Sequence, residues 1–381
     1  MDRPEQPRIT TTQRLTSLDA YRGAIMITLI SHGFGFSVLQ DHPYLGFLAR
    51  QTDHVQWDGC VFWDLIQPAF MFMVGVAMPF AFGKRKSLGQ SDATMFAHVL
   101  RRAIFLCLIA IGFDSINEGK LIIGFVNVLP QIAFGYVVAY FFLNKSYLTQ
   151  GLAALSILIV YTLVWVWYPG NGNAGVWANP YAKPPWGAEY ANLGSDFDLW
   201  LIGRYYPGYW LALNAIPSTA TIIAGAMCGR LVSSGLSSNR IMKILILAGL
   251  GGIISGLAVS GALGIPIIKR VLSASFALYS TGWAILFLLL FFWIIEVKNY
   301  RRWAFFLVVV GMNSITAYIM FQLFRGWIDH AFLALLTFSP LNRPLVEAMG
   351  APGAILQAFL VLGVQWYVLY FFYKNKIFFK V

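Results

Sequence analysis

The densest chemistry-bearing stretch of the chain is Asp53-His54-Val55-Gln56-Trp57-Asp58-Gly59, followed by Trp63-Asp64-Leu65-Ile66-Gln67-Pro68. A histidine among carboxylates is suited to accepting a proton or an acyl group, because its ring titrates near neutrality. Asp58 and Asp64 are the two candidates for orienting the His54 ring. Asp64 and Gln67 stand at i, i+3 and so share a helix face. Trp57 can stack on a sugar ring or anchor the chain at an interface.

Other polar residues sit within long apolar runs. Asp19 and Arg22, at i, i+3, form either an ion pair at the start of the first run or a ligand contact. Asn127 with Gln131, Asn214 with Ser218, and Asn313 with Tyr318 and Gln322 mark helix faces. Taken singly, such groups read as interhelical hydrogen-bond glue worth about 0.6 kcal/mol each. Gly225-x-x-x-Gly229 and Gly252-x-x-x-Gly256 read as close-packing faces. Lys84-Arg85-Lys86 and Arg101-Arg102 bracket a short loop, where they satisfy a topology rule or hold phosphates. No Walker-type or dinucleotide glycine motif accompanies them.

The elements that must position these groups follow from composition. Of 381 residues, 58% are hydrophobic and 11% charged, under half the charge of a soluble domain. Mean hydropathy is +0.66. Ten apolar runs are long enough to cross a bilayer, at 18–39, 62–83, 98–115, 122–143, 148–168, 211–232, 241–263, 275–296, 303–323 and 352–373. The stretch 331–338 reads as a re-entrant or interfacial piece. The runs are continuous rather than alternating, which excludes a β-barrel. The expected fold is all-α: a polytopic helical membrane protein of about ten spans, forming one domain over residues 1–381.

Charge orients it. With the N-terminus in the cytoplasm, 19 of 27 Lys and Arg fall on inner segments and 11 of 16 acids on outer ones, so both termini are expected inside. The net charge of +11 is therefore a topology signal, not a nucleic-acid footprint. The first apolar run follows a polar stretch of 17 residues and is too long for a cleavable leader. Cys60, Cys107 and Cys228 support neither a disulfide framework nor a metal site. The large loops, 40–61, 169–210 and 324–351, all fall outside. The loop 169–210 is rich in Trp and Tyr, including Trp177, Tyr181, Trp186, Trp200 and Trp210, and reads as a lid or a carbohydrate-stacking platform.

The motifs have a familiar order. Arg14-Leu15-x-Ser17-Leu18-Asp19-Ala20-Tyr21-Arg22-Gly23, His54-x-x-Trp57-x-Gly59, Trp63-Asp64-Leu65-x-x-Pro68 and Phe72-x-x-Gly75 resemble the heparan-α-glucosaminide N-acetyltransferase family and its bacterial relatives. Val128-Leu129-x-x-Ile132-Ala133, Lys269-x-x-x-Ser273-x-Ser275 and Gly311-Met312-Asn313-Ser314-Ile315 resemble its later spans. The resemblance implies a transmembrane acyltransferase in a bacterial inner membrane, with acetyl-CoA bound from the cytoplasm as co-substrate. Its acetyl group would pass to an amino sugar or related glycan on the far side, and the chain would form a homodimer. His54 matches the family's essential histidine. Candidate donor contacts are Asp19, Arg22, Arg101, Arg102, Gln131 and Asn313. Candidate acceptor contacts are Trp57, Gln67, Asn214, Ser218 and Lys269. Lys269 also matches a donor contact, but the topology puts it outside. Two departures fall on the acceptor side: Asp58 stands where the family often has Asn, and the loop before Asn214 lacks an Asp-Pro-Glu-Gly stretch. Two other classes stay open: a secondary transporter of a sugar using Asp19, Asp64 and His32 as an ion path, and an inactive assembly partner.

Overall fold

The computed structural model describes residues 15–168, 177, 192–203, 211–337 and 349–379. The described residues are helical, with one isolated backbone bridge between Asp58 and Ile268. The helices are α1 (Thr16–Ser31), α2 (Gly46–Gln51), α3 (Ile66–Ser87), α4 (Asp92–Glu118), α5 (Val128–Phe142), α6 (Tyr147–Trp167) and α7 (Leu193–Ile202). They continue as α8 (Ala215–Val232), α9 (Ser238–Leu263), α10 (Ala274–Phe292), α11 (Phe305–Met312), α12 (Ser314–Ile319), α13 (Arg325–Thr337) and α14 (Gly350–Lys374). Among the described residues, eight helical stretches are long and apolar enough to cross a bilayer, and a bent pair makes a ninth. The chain is an integral, polytopic helical membrane protein.

Three of the ten expected spans depart from straight crossings: the run 18–39 leaves the α-helix after Ser31, where His32 to Gly35 take positive φ, and the other two departures shape the site. The run 122–143 yields only the 15 residues of α5, about 22 Å of helix against a hydrocarbon core of about 30 Å. Asn127 starts the helix late: its Oδ1 accepts from the Leu129 N–H at 3.1 Å, with Pro130 just behind. The segment before it stays unwound, leaving the Val126 carbonyl to accept from a side chain. The run 303–323 is broken at Asn313, where α11 and α12 meet at 67°. The Asn313 side chain donates to the Val309 carbonyl at 3.0 Å, competing with the ladder, and its backbone leaves the helical region at φ −116°. A π-turn over Met320–Phe324 follows, so Tyr318, Phe321 and Gln322 turn inward.

Close backbone contacts hold the bundle. A Cβ built on Gly75 would lie 2.0 Å from the Ile222 carbonyl oxygen, and one on Gly225 would lie 2.1 Å from that of Phe72. Only glycine permits α3 and α8 to cross at that distance, which is the small-residue packing expected of Gly225-x-x-x-Gly229. The core forms two large clusters. One joins α1, α3, α8, α10 and α11 around Phe72, Leu288 and Phe292; the other joins α3, α4, α5 and α8 around Val99, Ile132 and Ile222. Segments expected on one side of the membrane also meet in space. Arg230 donates to the Lys145 carbonyl at 2.6 Å, and Glu296 accepts from the Ser17 N–H at 2.9 Å.

Candidate active site

Two loops at one rim of the bundle build the site. The first, residues 52–61, leads into a 3₁₀ turn over Phe62–Leu65 and then α3. The second, residues 264–273, joins α9 to α10. They are fastened to each other: the Gly59 N–H donates to the Ile267 carbonyl at 2.9 Å, and Arg270 Nε donates to the Gln56 carbonyl at 3.0 Å. The second loop is braced from within. Ser273 Oγ donates to the Pro266 carbonyl at 2.7 Å and accepts from the Ile268 N–H at 3.0 Å, while Leu272 takes a left-handed φ of 46°. Asn214 Nδ2 and the Tyr161 hydroxyl donate to the carbonyls of Arg270 and Val271, both at 2.8 Å. A loop so heavily tied has little freedom to move the one basic side chain it turns inward, Lys269.

His54, Asp64 and Lys269 meet here, 215 residues apart in the chain at their widest. His54 Nδ1 lies 2.7 Å from Asp64 Oδ1. Two bare acceptors would repel at that distance, so the proton sits on Nδ1 and is donated to the carboxylate, and Nε2, 3.4 Å from Lys269 Nζ, is the unprotonated nitrogen. Asp64 is 1% exposed, and its Oδ2 also accepts from the Val61 N–H at 3.2 Å and the Val55 N–H at 3.4 Å. The carboxylate is therefore fixed by backbone before it orients the imidazole. Lys269 Nζ lies 3.5 Å from Asp64 Oδ1 and 3.0 Å from His54 Nδ1. Burial lowers the His54 pKa, the Asp64 hydrogen bond raises it, and the Lys269 charge lowers it again; the net direction is down. The ring stays neutral near pH 7 and is poised as a base. Burial pushes Lys269 down to about 8 against the pull of Asp64. Beside them, burial pushes the Cys60 thiol up to about 12, so it is no nucleophile.

His54 stands in the wall between two cavities. The narrower, about 430 Å³, runs inward past Gln67, Asn127, Gln131, Tyr318 and Gln322, with Asp114 and Lys269 also on its surface. Its polar groups form a chain. Gln67 Nε2 donates to Gln131 Oε1 at 2.8 Å, and Gln131 Nε2 donates to the Val126 carbonyl at 2.9 Å. The Tyr318 hydroxyl donates to Asn127 Oδ1 at 2.9 Å and accepts from Gln322 Nε2 at 3.0 Å. The wider, about 1050 Å³, opens over Gln40, Arg50, Asp53, Asp329 and Gln357. Leu29, Trp63 and Phe321 border both, together with His54.

Residues 14–186 match the family model described as heparan-alpha-glucosaminide N-acetyltransferase, catalytic. That segment belongs to this family. It contains His54, Asp64, Gln67, Asn127 and Gln131, whereas Lys269, Tyr318 and Gln322 lie beyond it. A search of curated proteins gave no match. The matched segment spans 173 of the 381 residues, and the family it belongs to is one of membrane N-acetyltransferases.

The residues singled out from sequence separate into groups. His54, Gln67, Gln131 and Lys269 line the narrow cavity, and Asp64 joins them from behind through His54. Ser218 reaches it indirectly, its Oγ donating to Gln131 Oε1 at 3.4 Å. Asp58 is exposed, and its backbone rather than its carboxylate joins the site, through the bridge to Ile268. Trp57 is buried among Tyr161, Trp165 and Ile268, and its Nε1 donates to the Trp177 carbonyl at 3.0 Å. Asn214 supports the Lys269 loop and lines neither cavity. Asp19 and Arg22 pair at 3.7 Å near the opposite rim. Arg101 donates to His98 at 3.0 Å, and Arg102 stacks 4.6 Å over the Tyr136 ring. Asn313 forms the helix break. Of the aromatic loop, Tyr181, Trp186 and Trp210 lie outside the described residues, while Trp177 stacks on Trp165 at 5.9 Å. Sequence reasoning missed Asp114, Arg50, Gln40, Asp329 and Gln357, and treated Tyr318 and Gln322 as glue. Their signal was present only as polar residues on apolar helices.

Proposed function

We propose that the chain transfers an acetyl group from acetyl-CoA to the amine of an amino sugar or related glycan across the His54 wall. The supporting observation is that one neutral imidazole borders two cavities of different character. The narrow cavity suits the thioester end of the donor: its carboxamides and hydroxyl match the amides of a pantetheine arm. Gln67, Asn127, Gln131, Tyr318 and Gln322 hold that arm. The wide cavity, with Arg50, Asp53, Asp329 and several amides, receives the glycan. Arg101 and Arg102 take donor phosphates nearer the other rim, which is cytoplasmic by the balance of basic residues.

With both substrates in place, the amine nitrogen attacks the thioester carbonyl carbon and a C–N bond forms. His54 Nε2 takes the proton released from nitrogen, and Asp64 stabilises the resulting imidazolium. As the C–S bond breaks, the proton passes from His54 to the departing thiolate, giving the amide and free CoA. Two cavities meeting at one base favour this direct route over an acetyl-histidine intermediate, because both substrates can be held at once. Asp58 has no orienting role in this scheme, which falls to Asp64. Lys269 acts on the imidazole more than on the acceptor. The dimer is part of the family expectation, with each subunit carrying a full site.

The test is release of free thiol from acetyl-CoA by the purified chain, with a hexosamine or a short amine-bearing glycan as acceptor. Acceptor-dependent thiol release with formation of an N-acetyl product supports the reading. Uptake of amino sugar into proteoliposomes without acetyl-CoA, and no thiol release, would establish the transporter instead.

A further inference from the structure

The α9–α10 hairpin carries the Lys269 loop at one end and an unexplained groove at the other. A trough of about 560 Å³ runs between the helices over Ile246, Leu286, Leu289 and Trp293, with Asn239 and Lys243 at its mouth. We propose that this groove binds one anionic phospholipid, its acyl chain in the trough and its phosphate on Lys243 and Asn239.

α9 holds its place chiefly through glycine: a Cβ on Gly252 would lie 2.9 Å from the Gly282 Cα, and one on Gly256 would lie 2.7 Å from the Ser275 carbonyl oxygen. That contact covers one face. Only 17% of the apolar window of α9 is buried, the lowest share of the eight spans, and Leu247 is 72% exposed. In an integral membrane protein that outer face meets acyl chains. The groove differs from the rest of this face at its mouth. There Lys243 is exposed, Arg240 lies one turn earlier, and Lys298 Nζ sits 5.7 Å from the centre of the Trp293 ring. No acid lines the groove. Glu296, the nearest acid on α10's trailing turn, is engaged by the Ser17 N–H at 2.9 Å and by Arg301 at 3.5 Å.

An apolar trough ending in an amide, an ammonium and an indole matches a chain joined to a phosphate, and basic pockets between spans are a known form of headgroup site. Free phosphate would leave the trough unused. A second copy meeting this groove with its mouth on the two-fold axis would set Lys243 and Arg240 against their own counterparts, which disfavours that arrangement.

Native mass spectrometry of the delipidated full chain, titrated with phosphatidylglycerol or phosphatidylcholine, tests the proposal. The wild type should bind phosphatidylglycerol preferentially. Lys243→Gln should weaken that binding about five-fold and leave phosphatidylcholine unchanged, while Lys243→Arg retains it. Lys374→Gln, at the same rim but outside the groove, should change nothing. Leu289→Trp, which fills the trough and keeps every charge, should lower phosphatidylglycerol occupancy and so provides a second route if Lys243→Gln folds poorly. Equal binding of the two lipids by the wild type, or unaltered phosphatidylglycerol binding by both Lys243→Gln and Leu289→Trp, would overturn it. A lipid-free dimer broken by Leu289→Trp would give the groove to a second copy.

Discussion

Replacing Lys269 with methionine isolates the electrostatic part of the site, since methionine nearly matches the stem and removes the charge. In the wild type the ammonium stands 3.0 Å from His54 Nδ1. At that distance two unit charges interact by about 1.4 kcal/mol even at the dielectric of bulk water, and by more at the lower effective value inside a protein. This is the least by which Lys269 disfavours the imidazolium, and it corresponds to about one pKa unit, a ten-fold change in the ratio of neutral to protonated ring. The sign follows directly. Without the cation the ring protonates more readily and, beside Asp64, becomes an ion pair, so the base is lost at a higher pH than in the wild type. Lys269, pushed down to about 8 by burial, is charged at acid pH and largely neutral well above 8. The ratio of wild-type to Lys269→Met kcat/KM should therefore be smallest near pH 9, rise as pH falls through the ring's titration range, and approach about ten-fold or more only at pH values below both ring pKa values. Thiol release across that range measures it. A ratio that is flat with pH would refute the reasoning and reduce Lys269 to a packing or substrate contact.

Other expectations follow from the same geometry. Asp64→Asn keeps the volume but removes the charge that holds the Nδ1–H tautomer, so kcat should fall about 10³-fold or more, measured by transfer kinetics beside a thermal melt that reads the loss of the counter-charge to Lys269. Tyr318→Phe deletes one hydroxyl between Asn127 and Gln322 in the narrow cavity; KM for acetyl-CoA should rise about 5- to 30-fold while KM for the acceptor stays level. Asp198 on α7 is buried, and its pKa is raised to about 7 by that burial, partly offset by the Ala212 N–H that its carboxylate accepts at 3.2 Å. A carboxyl whose folded pKa lies above its unfolded value binds protons preferentially in the folded state. It therefore loses stability as pH rises from about 4 to 7. Asp198→Asn should raise the melting temperature more at pH 8 than at pH 4, and an equal change at both would count against the argument.

Much of this arrangement was legible in the residues alone. Continuous apolar runs located the spans, because a bilayer leaves no other way to satisfy twenty consecutive backbone groups. His54, Asp64 and Gln67 were legible because they are local: ten residues separate the dyad, and the turn before α3 closes it. Lys269 was visible only through a motif, since no periodicity links it to His54 across 215 positions. The choice of Asp64 over Asp58 needed coordinates, as the two acids are equivalent in sequence until the Asp58 backbone is seen paired to Ile268. The break at Asn313 and the late start of α5 were hidden because both lie in apolar runs that read as straight helices. These two irregularities turn Tyr318, Gln322 and Asn127 into cavity walls, which is why residues that looked like interhelical glue line the site. Trp57 illustrates the converse: an aromatic beside a candidate base invited a stacking role, yet its indole is occupied in the packing beneath the loops.

The central claim, that His54 is the base between donor and acceptor, is tested most directly by acetyl transfer in His54→Ala protein whose bound CoA is confirmed by mass spectrometry. The account predicts that CoA stays bound while N-acetyl product falls by at least about 10²- to 10⁴-fold, the range a general base contributes. Product formed at the wild-type rate by that CoA-loaded variant would contradict it.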